Sequence, residues 1–280
     1  MTAQSVYKEK WNEALKRGEP RYLRSIVNIA ASEFRDKVRN GRPEFVSEFV
    51  DSLHGGDIWI VESAISAEQV DTIRKTTLAF RANHPASSPK IIEGCPNFHE
   101  IFDGSAAPFG GYKATDHSSY FFRWNGDSHG LFGILDEVWN LAKIVSGRAP
   151  NEFSSNTPKD IFVDRIQVIQ YPAGIGKITT HTDPAITMKC NTGIYLSTYG
   201  VDFQQGGFFV ARGPRQPVLI DPQVKAGDMA LWYPNLVHGV EPIDPDKSVN
   251  WNLTDGRWFL ALNTVESHLA KERHATKHAI

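Results

Sequence analysis

Between residues 161 and 264 the chain is a series of short β-rich runs separated by turn signals: 161–171, 189–197, 207–211, 218–220, 229–233, 237–243 and 257–264. Runs this short, with no long helix between them, fit an antiparallel sandwich or a jelly-roll barrel and little else. The expectation is an α+β chain with a mainly β core. The preceding residues supply its cover. Trp11, Leu15, Tyr22, Ile26, Ile29, Ala30 and Phe34 recur at helix-like spacing over residues 1–53, broken at Gly18-Glu19-Pro20 and at Gly41-Arg42-Pro43. Gly55-Gly56 then opens a strand at 57–61. Ser66 and Gln69 are spaced as a capping box, with Ile65 and Val70 as its hydrophobic staple, so a helix is expected to about Asn83. Residues 84–129 are rich in Pro, Gly, Ser and aromatics and read as a functional loop region. A further helix is expected over 131–145.

Composition excludes several classes. A formal charge of −2 on 280 residues leaves no basic excess for general phosphate binding, so a nucleic-acid partner is not expected. Cys95 and Cys190 are the only cysteines, which argues against a disulfide framework and for a cytoplasmic location. No run approaches the ~18 apolar residues of a membrane span, and residues 1–10 are polar, without an apolar signal region.

The chemistry is concentrated at His181-Thr182-Asp183 and at His238. Residues i and i+2 of a strand share a face. His181 and Asp183 can therefore aim two ligand atoms at one point, and His238 can join them from a neighbouring strand. Two imidazoles and one carboxylate suit Fe(II) and leave its other face open. The tripeptide alone equally fits a surface turn ahead of Pro184. Asp116-His117 and the Asp127/His129 pair resemble ligand pairs but lack a distal partner, and read as loop or pocket residues.

The surrounding segments extend the pattern: residues 165–174 (RIQVIQYPAG), Gly206-Gly207, Gly227-Asp228-Met229-Ala230-Leu231-Trp232, His238-Gly239-Val240-Glu241-Pro242-Ile243, and Gly256-Arg257-Trp258-Phe259-Leu260. In this order they resemble the iron(II)/2-oxoglutarate-dependent dioxygenase superfamily, of the prolyl-hydroxylase-like kind, over about residues 160–265. The resemblance implies a double-stranded β-helix (jelly-roll) barrel covered by N-terminal helices. It divides the chain into a helical extension at 1–56, a dioxygenase domain at 57–266 and a helical tail at 267–280, together forming one structural unit. It implies Fe(II) held by His181, Asp183 and His238, with 2-oxoglutarate and O2 as co-substrates and no catalytic side chain beyond the metal centre.

By the same resemblance Arg257 pairs with the distal carboxylate of 2-oxoglutarate and Tyr171 reaches it too. Arg257 lies further after His238 than is usual in the family, as though residues 244–255 were an insertion. Lys247 sits at a more ordinary distance, but among Asp244, Pro245 and Asp246, which read as a solvated turn. Period-2 alternation puts Arg165, Gln167, Ile169 and Tyr171 on one strand face, fitting either an active-site cavity or an outer surface. Arg257, Phe259, Ala261 and Asn263 share another. Arg123, Trp124 and Arg212 are further substrate-binding candidates; core packing accounts equally well for the first two.

Halogenating members of the family that the chain resembles replace the carboxylate at the Asp183 position with a small residue, so by the resemblance Asp183 implies hydroxylation, desaturation or ring formation over halogenation. The expected reaction is oxidation of an unactivated C–H of a small molecule, a biosynthetic intermediate or an amino-acid-like compound, with 2-oxoglutarate converted to succinate and CO2. The alternatives are a prolyl-type protein side-chain hydroxylase and a cupin-like metal protein that makes no use of 2-oxoglutarate.

Overall fold

The computed structural model describes residues 2–104, 112–158, 161–185, 188–252 and 254–267. The β-rich half forms eight strands in chain order: β5 (Phe162–Tyr171), β6 (Lys177–His181), β7 (Asn191–Tyr195), β8 (Gly207–Ala211), β9 (Pro217–Leu219), β10 (Met229–Trp232), β11 (His238–Glu241) and β12 (Arg257–Glu266). They sort into two antiparallel layers, β10-β7-β12-β5 and β6-β11-β8-β9. The chain repeatedly crosses between the layers, and side chains from both line one internal cavity. This is the double-stranded β-helix. The seven expected runs are all strands, shifted by a few residues at their ends. An eighth, β6, lies outside those runs, although the shared face of His181 and Asp183 presupposed a strand there.

The first layer is extended on both sides. Beyond β10 lie β2 (Ile58–Glu62) and β1 (Ile26–Ala30); beyond β5 lie β4 (Ala114–Phe122) and β3 (Phe98–Asp103). Two of these correct the sequence reading. Ile26, Ile29 and Ala30 were expected in a helix but form β1, in parallel register with β2 from Ile26↔Ile58 to Ala30↔Glu62. Their spacing fits either period, and the open edge of β2 decides it by offering ladder partners. Residues 84–129 were expected as loops, yet β4 is buried at all nine positions. Its polar run Asp116-His117-Ser118-Ser119 hides the strand pattern.

The helices are α1 (Ala3–Ala14), α2 (Ala31–Asn40), α3 (Pro43–His54), α4 (Ala67–Asn83) and α5 (Leu131–Val145). The capping box at α4 forms in both directions between Ser66 and Gln69, and Ile65 and Val70 are both buried. Pro43 begins α3, where its missing N–H is no loss. Tyr7 and Trp11 of α1, Phe45 and Phe49 of α3, and Leu135 and Trp139 of α5 share one core with Ile194, Leu231 and Leu260 of the strands. Each buried side chain of this size contributes about 1.5–3 kcal/mol, and the Trp11 indole N–H donates to the Val145 carbonyl at 2.7 Å. The helices thus brace the larger layer from outside and leave the space between the layers to the site. Among the described residues, no helix is long and apolar enough to cross a membrane. The helix expected at 267–280 lies, apart from Ser267, outside the described residues.

Candidate metal centre and cavity

β6 and β11 are antiparallel neighbours, and their register places His181 directly opposite His238. Asp183 follows β6 by two residues, and its backbone N–H donates to the Pro234 carbonyl at 3.0 Å. One ligand atom from each of the three residues lies within 4.8 Å of the others. His238 Nε2 is 3.3 Å from Asp183 Oδ2, and His181 Nε2 is 3.8 Å from Asp183 Oδ1. Adjacent ligands at about 2.1 Å from one ion would stand about 3 Å apart, so small side-chain adjustments complete the set.

The tautomers are fixed from behind. His181 Nδ1 faces the Thr179 carbonyl at 2.8 Å and His238 Nδ1 faces the Leu236 carbonyl at 2.7 Å. A carbonyl only accepts, so each Nδ1 carries the proton and each Nε2 keeps its lone pair for a metal. The Asn191 amide donates to Asp183 Oδ2 at 2.7 Å and orients the carboxylate. Tyr112 stacks on the His181 ring at 4.4 Å, while Phe208 and Trp232 flank His238. Burial, together with the neighbouring His238, lowers the His181 pKa to about 4. Burial works against the charged form of Asp183, but His238 and His181 outweigh it and bring Asp183 to about 2. Burial works against the charged form of His238, but Asp183 outweighs it and raises its pKa, so an ion would take the place of a proton between these two ligands; two imidazoles and an ionised carboxylate fit Fe(II).

The cavity beside these ligands measures about 620 Å³. Arg165, Gln167, Ile169 and Tyr171 of β5 and Arg257, Phe259, Ala261 and Asn263 of β12 all line it. Both alternating faces therefore look inward.

Arg257 stands opposite Tyr171 in the β5–β12 register and is 1% exposed. Its Nε donates to both oxygens of Asp221, at 2.9 and 3.0 Å. Its Nη2 is buried without a well-formed hydrogen bond among the described residues, with Tyr195 alongside. The rings of Tyr171, Tyr195 and Phe259 surround the guanidinium at 4.9–5.5 Å. Gly207 makes the ion pair possible. Its φ is +122°, and a Cβ there would come within 2.8 Å of the Asp221 carboxylate. Asp221 also accepts from the Phe208 backbone N–H. Lys247 is half exposed and pairs with Asp244 in a turn, at 2.8 Å.

Other candidates are engaged elsewhere. Arg123 pairs with Asp136 and lies 3.9 Å over the Phe132 ring. Trp124 stacks on Phe122 and donates to the Cys95 carbonyl at 2.9 Å. Arg212 is exposed in the turn after β8. None of the three lines the cavity. His117 packs against Trp251, and His129 against Phe80 and Phe121. Asn191, Asp221, Tyr112 and Tyr195 were not anticipated from sequence. Asn191 begins an apolar strand and Asp221 precedes Pro222 in what reads as a plain turn, so neither advertises its partner.

No family model and no curated protein matches the sequence. Solved structures are similar at low identity. A prolyl hydroxylase from Trichoplax adhaerens, in complex with a hypoxia inducible factor oxygen degradation domain peptide fragment, is 14% identical over 76% of this chain and 86% of its own, with a TM-score of 0.48. A prolyl-4-hydroxylase from Pseudomonas putida is 13% identical over 75% and 92%, with a TM-score of 0.46. A full-length Neurospora crassa protein in complex with alpha-KG is 13% identical over 87% and 86%, with a TM-score of 0.49.

Proposed function

We propose that the chain is a non-haem Fe(II)/2-oxoglutarate-dependent oxygenase that oxidises an unactivated C–H bond of a small molecule. One observation carries the reading: a His-Asp-His ligand set and a buried arginine with unused donors face the same cavity. The arginine separates this reading from a cupin-like metal protein, in which such a cation has no target.

When bound, the iron and 2-oxoglutarate supply oxygen activation, coupled to conversion of 2-oxoglutarate to succinate and CO2. The residues of this chain do the holding and the excluding. His181, Asp183 and His238 occupy one face of the ion, kept in aim by the Thr179 and Leu236 carbonyls and by Asn191. Arg257 offers its free guanidinium edge to the distal carboxylate of 2-oxoglutarate, with Tyr171 beside it. Asp221 fixes the direction of that edge. Phe208 and Trp232 beside His238, and Phe259 beside Arg257, supply apolar cover next to the charged groups. No side-chain acid or base is assigned a part; positioning is the protein's contribution. A cavity of about 620 Å³ accommodates a small molecule beside the ligands, whereas a protein side chain would need an open groove over them.

The test is turnover. Protein loaded with Fe(II) and exposed to O2 should convert 2-oxoglutarate to succinate, stoichiometrically with an oxidised product once a substrate is found. Metal binding with no succinate formed under any substrate screen would leave the cupin-like alternative in possession.

A further inference from the structure

The interior face of β5 and β12 carries a second arginine. Arg165 stands opposite Asn263, whereas Arg257 stands opposite Tyr171. Six residues of extended chain separate the two levels, roughly 20 Å along the strand. Both arginines line the same cavity. A five-carbon diacid held at Arg257 does not reach Arg165, so the second cation needs a different ligand.

The two differ in their counter-ions. Arg257 is neutralised by Asp221. Arg165 is 7% exposed and forms no ion pair among the described residues. Glu100 contributes to the field at its guanidinium without forming a salt bridge to it. A guanidinium has five N–H donors. Among the described residues Arg165 makes one hydrogen bond, from Nη2 to Gln167 Oε1 at 3.1 Å, and its face lies 4.9 Å from the Tyr120 ring centroid. Its Nε has no partner among the described residues. The acceptor capacity of Gln167 is used up. Its Oε1 also accepts from Asn263 at 3.3 Å, and its Nε2 donates to Ser118 Oγ at 3.1 Å. Ser118 in turn donates to Asp116 at 2.7 Å. The guanidinium is thus a buried charge whose hydrogen-bonding partner is a neutral amide, with Glu100 acting on it only at a distance and no direct carboxylate partner among the described residues. Such a charge is costly until a counter-ion arrives.

Resting on the oxygenase reading, we infer that the molecule oxidised carries a carboxylate, and that Arg165 binds it with Gln167 and Asn263 at its sides. The planar fork of a guanidinium matches a carboxylate in two parallel bonds. Anchoring one end of the substrate there leaves the remainder of the molecule to lie over the metal ligands.

The experiment loads the full chain anaerobically with Fe(II) and 2-oxoglutarate, and checks loading by the visible charge-transfer band. Thermal shifts are then recorded with a panel of small hydroxy acids, amino acids, N-acyl amino acids and aromatic acids, each beside its primary amide. At least one acid should raise the melting temperature while its amide does not, and should stimulate succinate release in air. Arg165→Met should bind that acid about tenfold or more weakly, while the band still forms at the same 2-oxoglutarate concentration. Arg165→Lys, which keeps the charge but loses the fork, should fall between and covers failure of Arg165→Met to fold. Equal binding of acid and amide, an acid preference that survives Arg165→Met, or a panel without any acid response in protein that forms the band would each overturn the inference. A wild-type protein that forms no band would instead refute the oxygenase reading itself.

Discussion

Arg257 gives the sharpest perturbation, because a proposed role and an observed one meet on it and can be separated. It is expected to hold the distal carboxylate of 2-oxoglutarate, and it neutralises Asp221 where both are 1% exposed. Arg257→Met keeps most of the volume and removes both. Losing a charge-assisted hydrogen bond to a ligand costs about 1.5–3 kcal/mol, or roughly 10- to 150-fold in 2-oxoglutarate affinity. Leaving Asp221 buried without its partner costs the fold about 3–5 kcal/mol, a fall in melting temperature on the order of 10 °C. The second cost is removable without touching the first. Asp221→Asn in the Arg257→Met background takes away the stranded charge and keeps an acceptor for the Phe208 N–H. The double variant should therefore regain most of the stability but none of the affinity. Anaerobic titration of the Fe(II) protein with 2-oxoglutarate reads the affinity, and thermal unfolding reads the stability. Lys247→Ala, which removes a half-exposed ammonium paired with Asp244, is the control and should leave the 2-oxoglutarate affinity unchanged. Unchanged affinity in Arg257→Met would remove Arg257 from the cofactor site. A double variant no more stable than the single one would refute the ion pair as the source of the loss.

Three further outcomes follow from the same contacts. Asn191→Ala frees Asp183 Oδ2 from its 2.7 Å hydrogen bond and should weaken Fe(II) binding about 10- to 100-fold by equilibrium dialysis; unchanged affinity would mean that Asp183 is held by something else. Gly193→Ala would place a Cβ 1.9 Å from Cζ of Phe259 and should cost about 1–3 kcal/mol in denaturant unfolding through overpacking, a loss that Phe259→Leu in the same chain should relieve. Burial, only partly offset by Ser118 and Arg81, raises the Asp116 pKa from 3.8 to about 7. Between those values the folded protein keeps a proton that the unfolded chain has released, so this group's contribution to stability falls as pH rises from 4 to 7. Asp116→Asn should flatten that slope and be the more stable form at pH 8, by at most on the order of 4 kcal/mol; parallel curves for the two proteins would refute the shift.

The parts that sequence revealed are those with local signals. The β-rich runs carry period-2 apolar residues, the α4 start carries its capping box, and His181 and Asp183 lie two residues apart. His238 carries no local signal and was reached through the order of the motifs around it; the β6–β11 register sets it opposite His181. β4 was missed because its buried polar residues are satisfied from a distance. Arg81 of α4 donates to Ser119, to Gln170 and to the His117 carbonyl. Nothing within residues 114–122 announces that. Asp221 was invisible for the same reason, since its partner lies on β12 and the space for it is made by Gly207. Arg123 and Trp124 drew attention as part of an aromatic-basic run. Cation–π and stacking contacts with Phe132 and Phe122 give them a packing role instead.

The central claim is that His181, Asp183 and His238 hold one ferrous ion to which 2-oxoglutarate also binds. Anaerobic addition of Fe(II) and then 2-oxoglutarate to the purified protein tests it directly. A weak visible charge-transfer band should appear, saturate at one equivalent of iron per chain, and be absent from His181→Ala. A band of undiminished intensity in His181→Ala, or none in the wild type at saturating iron and 2-oxoglutarate, would contradict it.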